Sequence, residues 1–245
     1  MTQAGLPAPF RLVGLDVVGS TNDEARRLAL SGSAADLLVV TARRQTAGRG
    51  RRGRAWVSPE GNLHASVLIA IDDLARAAQL GFAAAVALAE AFAELVAADF
   101  RCKWPNDVLM DGRKVAGMLL EPAGQGWLIL GFGVDVAECP PPDAVMYPAA
   151  ALAHAGYAGT AADVLAAACR RLGPWVARWR AEGFAPVREA WMARARGVGQ
   201  PVVVRLEGET LTGVFAGLDE QGALLLDAGS TVQRIMAGDV YFPPA

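Results

Sequence analysis

The spacing of apolar positions changes several times along the 245-residue chain, and each change marks an element. Phe10 to Val18 reads as a strand. Thr21 to about Leu30 reads as a helix, with Ser20 or Thr21 as N-cap and Asp23 or Glu24 closing a capping box. Leu37 to Thr41 and Leu63 to Ile71 are β-rich, and the Arg/Gly-rich loop between them therefore joins two strands. A helix is expected from about Asp73 to Ala98, capped by one of the two aspartates there. Val108 to Met110 and Lys114 to Leu120 flank Asp111-Gly112, a tight-turn signal for a hairpin, and Trp127 to Val136 adds a strand. The proline-rich stretch Cys139 to Pro148 is a connector, after which helices begin near Thr160 and Phe184.

After Gly197 the spacing shortens. Pro201 to Leu206, Leu211 to Ala216, Ala223 to Asp227 and Thr231 to Met236 alternate between Gly/Asp/Glu turns, as the strands of a small β-barrel do. The expected fold class is α+β: a mixed-sheet domain over residues 1–196 and a small C-terminal barrel over 197–245, with a boundary near Arg196.

Composition narrows the class. The chain is 53% hydrophobic and 20% charged, which excludes disordered and fibrous classes. Leu80 to Ala98 is apolar, but Glu90, Glu94 and many alanines make it a buried helix rather than a membrane span. The start, Met1 to Phe10, carries no secretory pattern, so a cytoplasmic location is expected. Cys102, Cys139 and Cys169 with His64 and His154 form no metal-ligand spacing, and the thiols read as buried and free. The net charge of −2 hides a division: six arginines lie between Arg43 and Arg54, whereas Gly197 to Ala245 is acidic.

That division points to the loop Gly48-Arg49-Gly50-Arg51-Arg52-Gly53-Arg54. Gly48, Gly50 and Gly53 fit G-x-G-x-x-G, but Trp56-Val57-Ser58-Pro59 follows where a dinucleotide fold needs a helix, and no Gly-Lys-Ser/Thr occurs. The glycines still let the backbone bend close to a ligand, and the arginines offer forks of donors to phosphate or carboxylate. Taken alone, the loop is equally a solvated basic segment or a nucleic-acid contact. The chain also holds 21 arginines and only two lysines, Lys103 and Lys114, on either side of Trp104-Pro105-Asn106-Asp107. A retained lysine suits a site that needs a compact ammonium, as against a phosphate, although Lys103 is equally a salt-bridge partner on an edge strand. Gly117, three positions after Lys114, leaves room for a ligand.

In order, Ser20-Thr21-Asn22, Gln45 with Gly48 to Arg54, Lys103 to Asp107, Lys114-Val115-Ala116-Gly117 and Gly131-Phe132-Gly133-Val134-Asp135-Val136 resemble the signatures of biotin protein ligases. Gln221 to Leu226 resembles that family's C-terminal SH3-like barrel. The resemblance implies the biotin/lipoate ligase fold and a reaction in which ATP activates biotin to biotinyl-5′-adenylate. Biotin then passes to a lysine of the biotin carboxyl carrier protein or domain of acetyl-CoA carboxylase or a related carboxylase. It implies biotin contacts for Ser20, Thr21, Asn22, Gln45, Gly48, Arg49, Gly50, Arg51, Lys114 and Gly117. ATP or adenylate contacts are implied for Arg49, Arg51, Arg54, Trp56, Lys103, Asn106, Asp107, Lys114 and Asp135, with Lys114 and Arg51 catalytic. Mg²⁺ is expected on the nucleotide phosphates, without assigned protein ligands. The family usually has Asn where this chain has Asp135, and the winged helix-turn-helix of bifunctional members has no counterpart before Ser20, so no repressor activity and no DNA partner are expected; the make-up of Leu80 to Ala98 argues separately against a membrane. A homodimer is left open, and lipoate ligation is the nearest alternative activity.

Overall fold

A computed structural model describes residues 5–124 and 126–243. Its larger sheet has seven strands: β1 (Arg11–Val18), β2 (Leu38–Gln45), β3 (Leu63–Ala70), β4 (Phe100–Lys103), β5 (Asp107–Met110), β6 (Arg113–Gly124) and β7 (Trp127–Val134). Their order is β1-β2-β3-β7-β6-β5-β4, with only β1 and β2 parallel. Parallel neighbours need a crossover, and helix α1 (Thr21–Leu30) supplies it. Ser20 is the N-cap, but the expected capping box does not form. The Thr21 backbone N–H instead donates to Oε1 of Gln45, 24 residues away and 2.8 Å distant.

The sheet is covered on both faces, and period-2 alternation assigns each side chain to a layer. Val39, Leu63, Ala65, Val67, Ile69, Leu128, Leu130 and Phe132 join the main core beneath α2 (Gln79–Leu95), α3 (Ala161–Glu182) and α4 (Ala185–Ala193). Leu38, Val40, Leu68 and Ile129 face the other way, onto Ala25 and Ala29 of α1. The helix expected from Asp73 to Ala98 is shorter: Asp73 caps a 3-10 turn at Leu74–Arg76, and α2 begins only at Gln79. No helix among the described residues is long and apolar enough to cross a membrane. Cys102 and Cys169 are buried thiols, pushed up to about 12 by burial, whereas Cys139 is only partly covered, contrary to the expectation for all three.

Five more strands, β8 (Pro201–Arg205), β9 (Thr210–Leu218), β10 (Leu224–Asp227), β11 (Val232–Ile235) and β12 (Asp239–Tyr241), form an antiparallel sheet ordered β11-β10-β9-β8-β12. Four of these match the alternating runs read from the sequence; β12 was not expected. The two sheets share one core. Trp191 of α4 lies 5.4 Å from the Phe82 ring of α2, centroid to centroid, and joins Phe215 and Leu218 of β9 in the same cluster. Trp104 Nε1 donates to the Gly222 carbonyl at 3.0 Å, fastening the β4–β5 corner to the second sheet.

This junction makes Trp191 a test of the shared core. The indole is fully buried, so Trp191→Ala is expected to lower unfolding stability by roughly 3–5 kcal/mol in urea titration. A loss below about 1 kcal/mol would mean that the two sheets do not depend on it.

Candidate active site

The face of the large sheet that carries α1 runs out of side chains near its middle. On β7 the residues pointing this way are Ile129, Gly131 and Gly133, and Gly133 sits directly opposite Gly117 of β6. The missing side chains open a cavity of about 490 Å³ walled by α1, the Arg/Gly loop, the 139–148 connector and the start of β12. The glycines are not replaceable there. A Cβ at Gly131 would overlap the amide of Asn22, and one at Gly133 would overlap the indole of Trp56.

Lys114 and Gly117 are three apart, a spacing that in a regular strand would put them on opposite faces. A bulge resolves this. Leu109 of β5 pairs with Lys114 and Val108 with Ala116, which leaves Val115 as the extra residue. A Cβ at Gly117 would consequently lie only 3.0 Å from Nζ of Lys114. Lys114 also stands 5.4 Å from the Trp56 ring centroid, so the indole and the ammonium share the glycine floor.

The two lysines of the chain meet at one carboxylate. Asp107 Oδ1 is 2.6 Å from Nζ of Lys114, and Oδ2 is 3.3 Å from Nζ of Lys103. Burial alone would raise the Asp107 carboxyl, but the two ammonium groups outweigh it and hold the group below its ordinary range. Burial pulls Lys103 down. The trio retains a net positive charge beside the cavity. Next to it, Asn106 Nδ2 donates to the Met118 carbonyl, while Asn106 Oδ1 accepts from Arg51 at 3.3 Å.

The opposite end is neutral. Thr21, Gln45, Ser66 and Asn22 form a chain: Thr21 donates to Gln45 Oε1, and Ser66 Oγ lies 2.7 Å from Thr21 Oγ1 and 2.6 Å from Asn22 Oδ1. Asn22 Nδ2 donates to Glu121 at 2.8 Å, and Gln45 Nε2 donates to Ser58 Oγ at 3.0 Å. Ser20, Thr21 and Asn22 are all buried. The cavity thus has a neutral hydrogen-bonding end and a cationic end, joined by glycine and apolar surface.

Fifteen expected site positions, from Ser20 through Asp135, line this cavity; the sixteenth, Gly48, does not. Gly48 is tucked under the loop, where a Cβ would come within 2.7 Å of Ser58 Oγ and the Trp56 carbonyl. The loop's arginines are engaged by carboxylates: Arg49 with Asp23 through two bonds of 2.7 and 2.6 Å, and Arg51, Arg52 and Arg54 with Asp239. Sequence reasoning missed Ser66, Glu121, Asp23 and Asp239. Ser66, a lone hydroxyl in the apolar run of β3, was the one visible signal. Among the described residues no group of three or more His, Cys, Asp or Glu side chains could hold a metal ion.

Asp135 is buried just past the end of β7, and among the described residues its side chain has one hydrogen-bond partner, the Asn62 amide at 3.3 Å. Burial raises its carboxyl to about 7, with Lys114 opposing. The folded protein therefore holds a proton here that the unfolded chain loses near pH 4, and the cost of ionising Asp135 grows as pH rises from about 4 to 7. Relative to wild type, Asp135→Asn should gain stability across that window, by on the order of 1–3 kcal/mol at pH 8 and near zero at pH 4, in urea titrations at each pH. A pH-independent difference would contradict a neutral Asp135.

Residues 14–131 match the Biotin/lipoate A/B protein ligase family, and residues 197–242 match the Biotin protein ligase C terminal domain. The chain is 42% identical to a biotin–[acetyl-CoA-carboxylase] ligase of Paracoccus denitrificans, covering 91% of this chain and 97% of that one. It is 36% identical to the enzyme of that name from Mycobacterium tuberculosis, over 92% of this chain and 88% of the relative. Among solved structures, the biotin protein ligase of Aquifex aeolicus in complex with biotin and ATP superposes with a TM-score of 0.82 at 28% identity, over 94% of this chain and 97% of that one. With the mixed sheet, the C-terminal antiparallel sheet and near-complete alignment to these enzymes in agreement, this chain is a ligase of the biotin protein ligase family.

Proposed function

We propose that this protein activates biotin with ATP to biotinyl-5′-adenylate and transfers biotin to a lysine of a biotin carboxyl carrier protein or domain. The observation that carries the reading is the polarity of the cavity: one end neutral and hydrogen-bonding, the other cationic, with Lys114 its cavity-facing charge. Biotin matches it end to end. Its uncharged ureido group both donates and accepts, as the Thr21, Gln45, Ser66 and Asn22 cluster does, and its carboxylate would reach Lys114. The complex of the Aquifex enzyme with both biotin and ATP supports the same pair of small molecules.

In the first step a biotin carboxylate oxygen attacks the α-phosphorus of ATP, the bond to the β-phosphate oxygen breaks, and pyrophosphate leaves. Charge accumulates on the phosphoryl oxygens, and Lys114 with Arg51 and Arg54, all on the cavity wall, would offset it. Trp56 offers an aromatic face, Lys103 and Asn106 flank the cationic end, and Asp107 keeps Lys114 aimed. Mg²⁺ arrives with ATP as part of the substrate, and no residue is assigned to it. In the second step the carrier amine attacks the biotinyl carbonyl, AMP departs with the bridging oxygen, and the amine gives up a proton. Gly50, Arg49 and the rest of the loop would screen the mixed anhydride from water meanwhile. The acceptor is inferred to belong to acetyl-CoA carboxylase or a related carboxylase, in the cytoplasm, without DNA involvement. Residues 1–196 are proposed as the catalytic unit and 197–245 as an SH3-like companion.

Lys114 is the sharpest point of attack. A guanidinium is broader than the ammonium that fits between Asp107, Gly117 and Trp56, so Lys114→Arg should release pyrophosphate at least about 100-fold more slowly although charge is kept. Pyrophosphate release is followed with biotin and, separately, lipoate. Biotin-dependent release by wild type and its loss in the variant are expected; lipoate-dependent release, or a near-normal variant, would contradict the proposal.

A further inference from the structure

Glu121 lies on β6 beyond Gly117, at an alternate position, and so shares the face that carries α1. Its carboxylate does not line the cavity, yet it accepts from Asn22 Nδ2 at 2.8 Å. Asn22 does line the cavity, and its Oδ1 accepts from Ser66 Oγ at 2.6 Å. Of the three terminal atoms of the Asn22 side chain, Oδ1 comes nearest to where a Cβ on Gly131 would stand, so the amide oxygen overhangs the glycine floor.

A carboxamide fits its space in either of two orientations, and its partners decide between them. A carboxylate can only accept, so Glu121 claims the Nδ2 end of Asn22 and leaves the oxygen to Ser66 and the cavity. Gln45, the other amide of the neutral end, is locked differently: its Oε1 accepts from the Thr21 backbone N–H, which can only donate. The orientation of Asn22 therefore hangs on a replaceable side chain, whereas that of Gln45 does not. Ion pairing does not account for where Glu121 sits. Arg26 and Arg49 are farther off, at 3.4 and 3.9 Å, and each has a closer partner, the Pro122 carbonyl for Arg26 and Asp23 for Arg49.

We infer that Glu121 is a positioning residue that holds the Asn22 amide with its oxygen toward the cavity, so that this end selects a ligand group presenting N–H donors. The choice of ligand rests on the biotin reading above, in which the donors are the ureido N–H groups; the dithiolane ring of lipoate has none. Glutamine at position 121 keeps the shape of the side chain but both donates and accepts. Asn22 is then free to turn its NH2 to the cavity, where it meets the ureido N–H groups donor to donor.

The test joins nuclear magnetic resonance of the full chain to calorimetric titration with biotin. In nitrogen-15-labelled wild type, the side-chain NH2 signals of Asn22, identified by their loss in Asn22→Ser, should show one proton shifted downfield by the carboxylate. Glu121→Gln should abolish that shift and leave the Asn62 NH2 signals in place, since the Asn62 oxygen is held by three backbone N–H groups. The same variant should bind biotin about 10-fold more weakly, with kcat at saturating biotin and the KM for ATP within about 2-fold of wild type. Arg26→Gln removes an ion pair but not the amide lock, and should bind biotin within about 2-fold of wild type. A wild-type Asn22 without the downfield proton would overturn the inference, as would unchanged biotin affinity in Glu121→Gln or an equal loss in Arg26→Gln. The spectra need no substrate, so they decide whether Glu121 sets the Asn22 amide even if wild type binds no biotin and the ligase reading falls.

Discussion

Asp107 is a carboxylate removed from water and held between the two lysines of the chain, and the cationic end of the cavity exists because of that arrangement. An isolated buried charge would neutralise itself or unfold its surroundings. Breaking a buried pair by deleting one partner typically costs about 3–5 kcal/mol. With two ammonium groups on one carboxylate, the pairing is satisfied and one positive charge is left over. That remaining charge is carried by Lys114, the more exposed of the two lysines, which faces the cavity. The trio therefore serves stability and chemistry together: what keeps Asp107 ionised also keeps Lys114 aimed.

Backbone geometry delivers the trio to its place. The Asp111-Gly112 turn, with both residues at positive φ, closes the β5–β6 hairpin and brings Asp107 level with Gly117. The bulge at Val115 then turns Lys114 onto the same face, and the facing glycines at 117 and 133 clear the space above. A pocket of this kind needs no special scaffold, only a sheet face from which side chains have been omitted at adjacent positions.

Much of this was readable in the sequence, because it is local. Helical spacing from Thr21 to Leu30, the Asp-Gly turn, the strand-to-strand setting of the Arg/Gly loop and the two isolated lysines are all signals spanning a few residues. The errors were of two kinds. The capping box at Ser20 does not form, and the adjacent Thr21 N–H donates to Gln45 Oε1, 24 residues away, a partner that local sequence cannot show. The helix expected from Asp73 broke early, its first turn tightening into a separate 3-10 segment. What remained invisible was pairing across distance: nothing near Asp239 or Asp23 in sequence indicates that each will hold an arginine of the loop.

On the proposed reading, the cavity, the lysine pair and the loop serve the modification of another protein. The most direct measurement incubates the full chain with ATP, biotin and a biotin carboxyl carrier domain and determines the carrier's mass. The account requires a single biotinyl increment that depends on both ATP and biotin and disappears when the carrier's target lysine is replaced. A carrier of unchanged mass, with the enzyme folded and biotin bound, would contradict it.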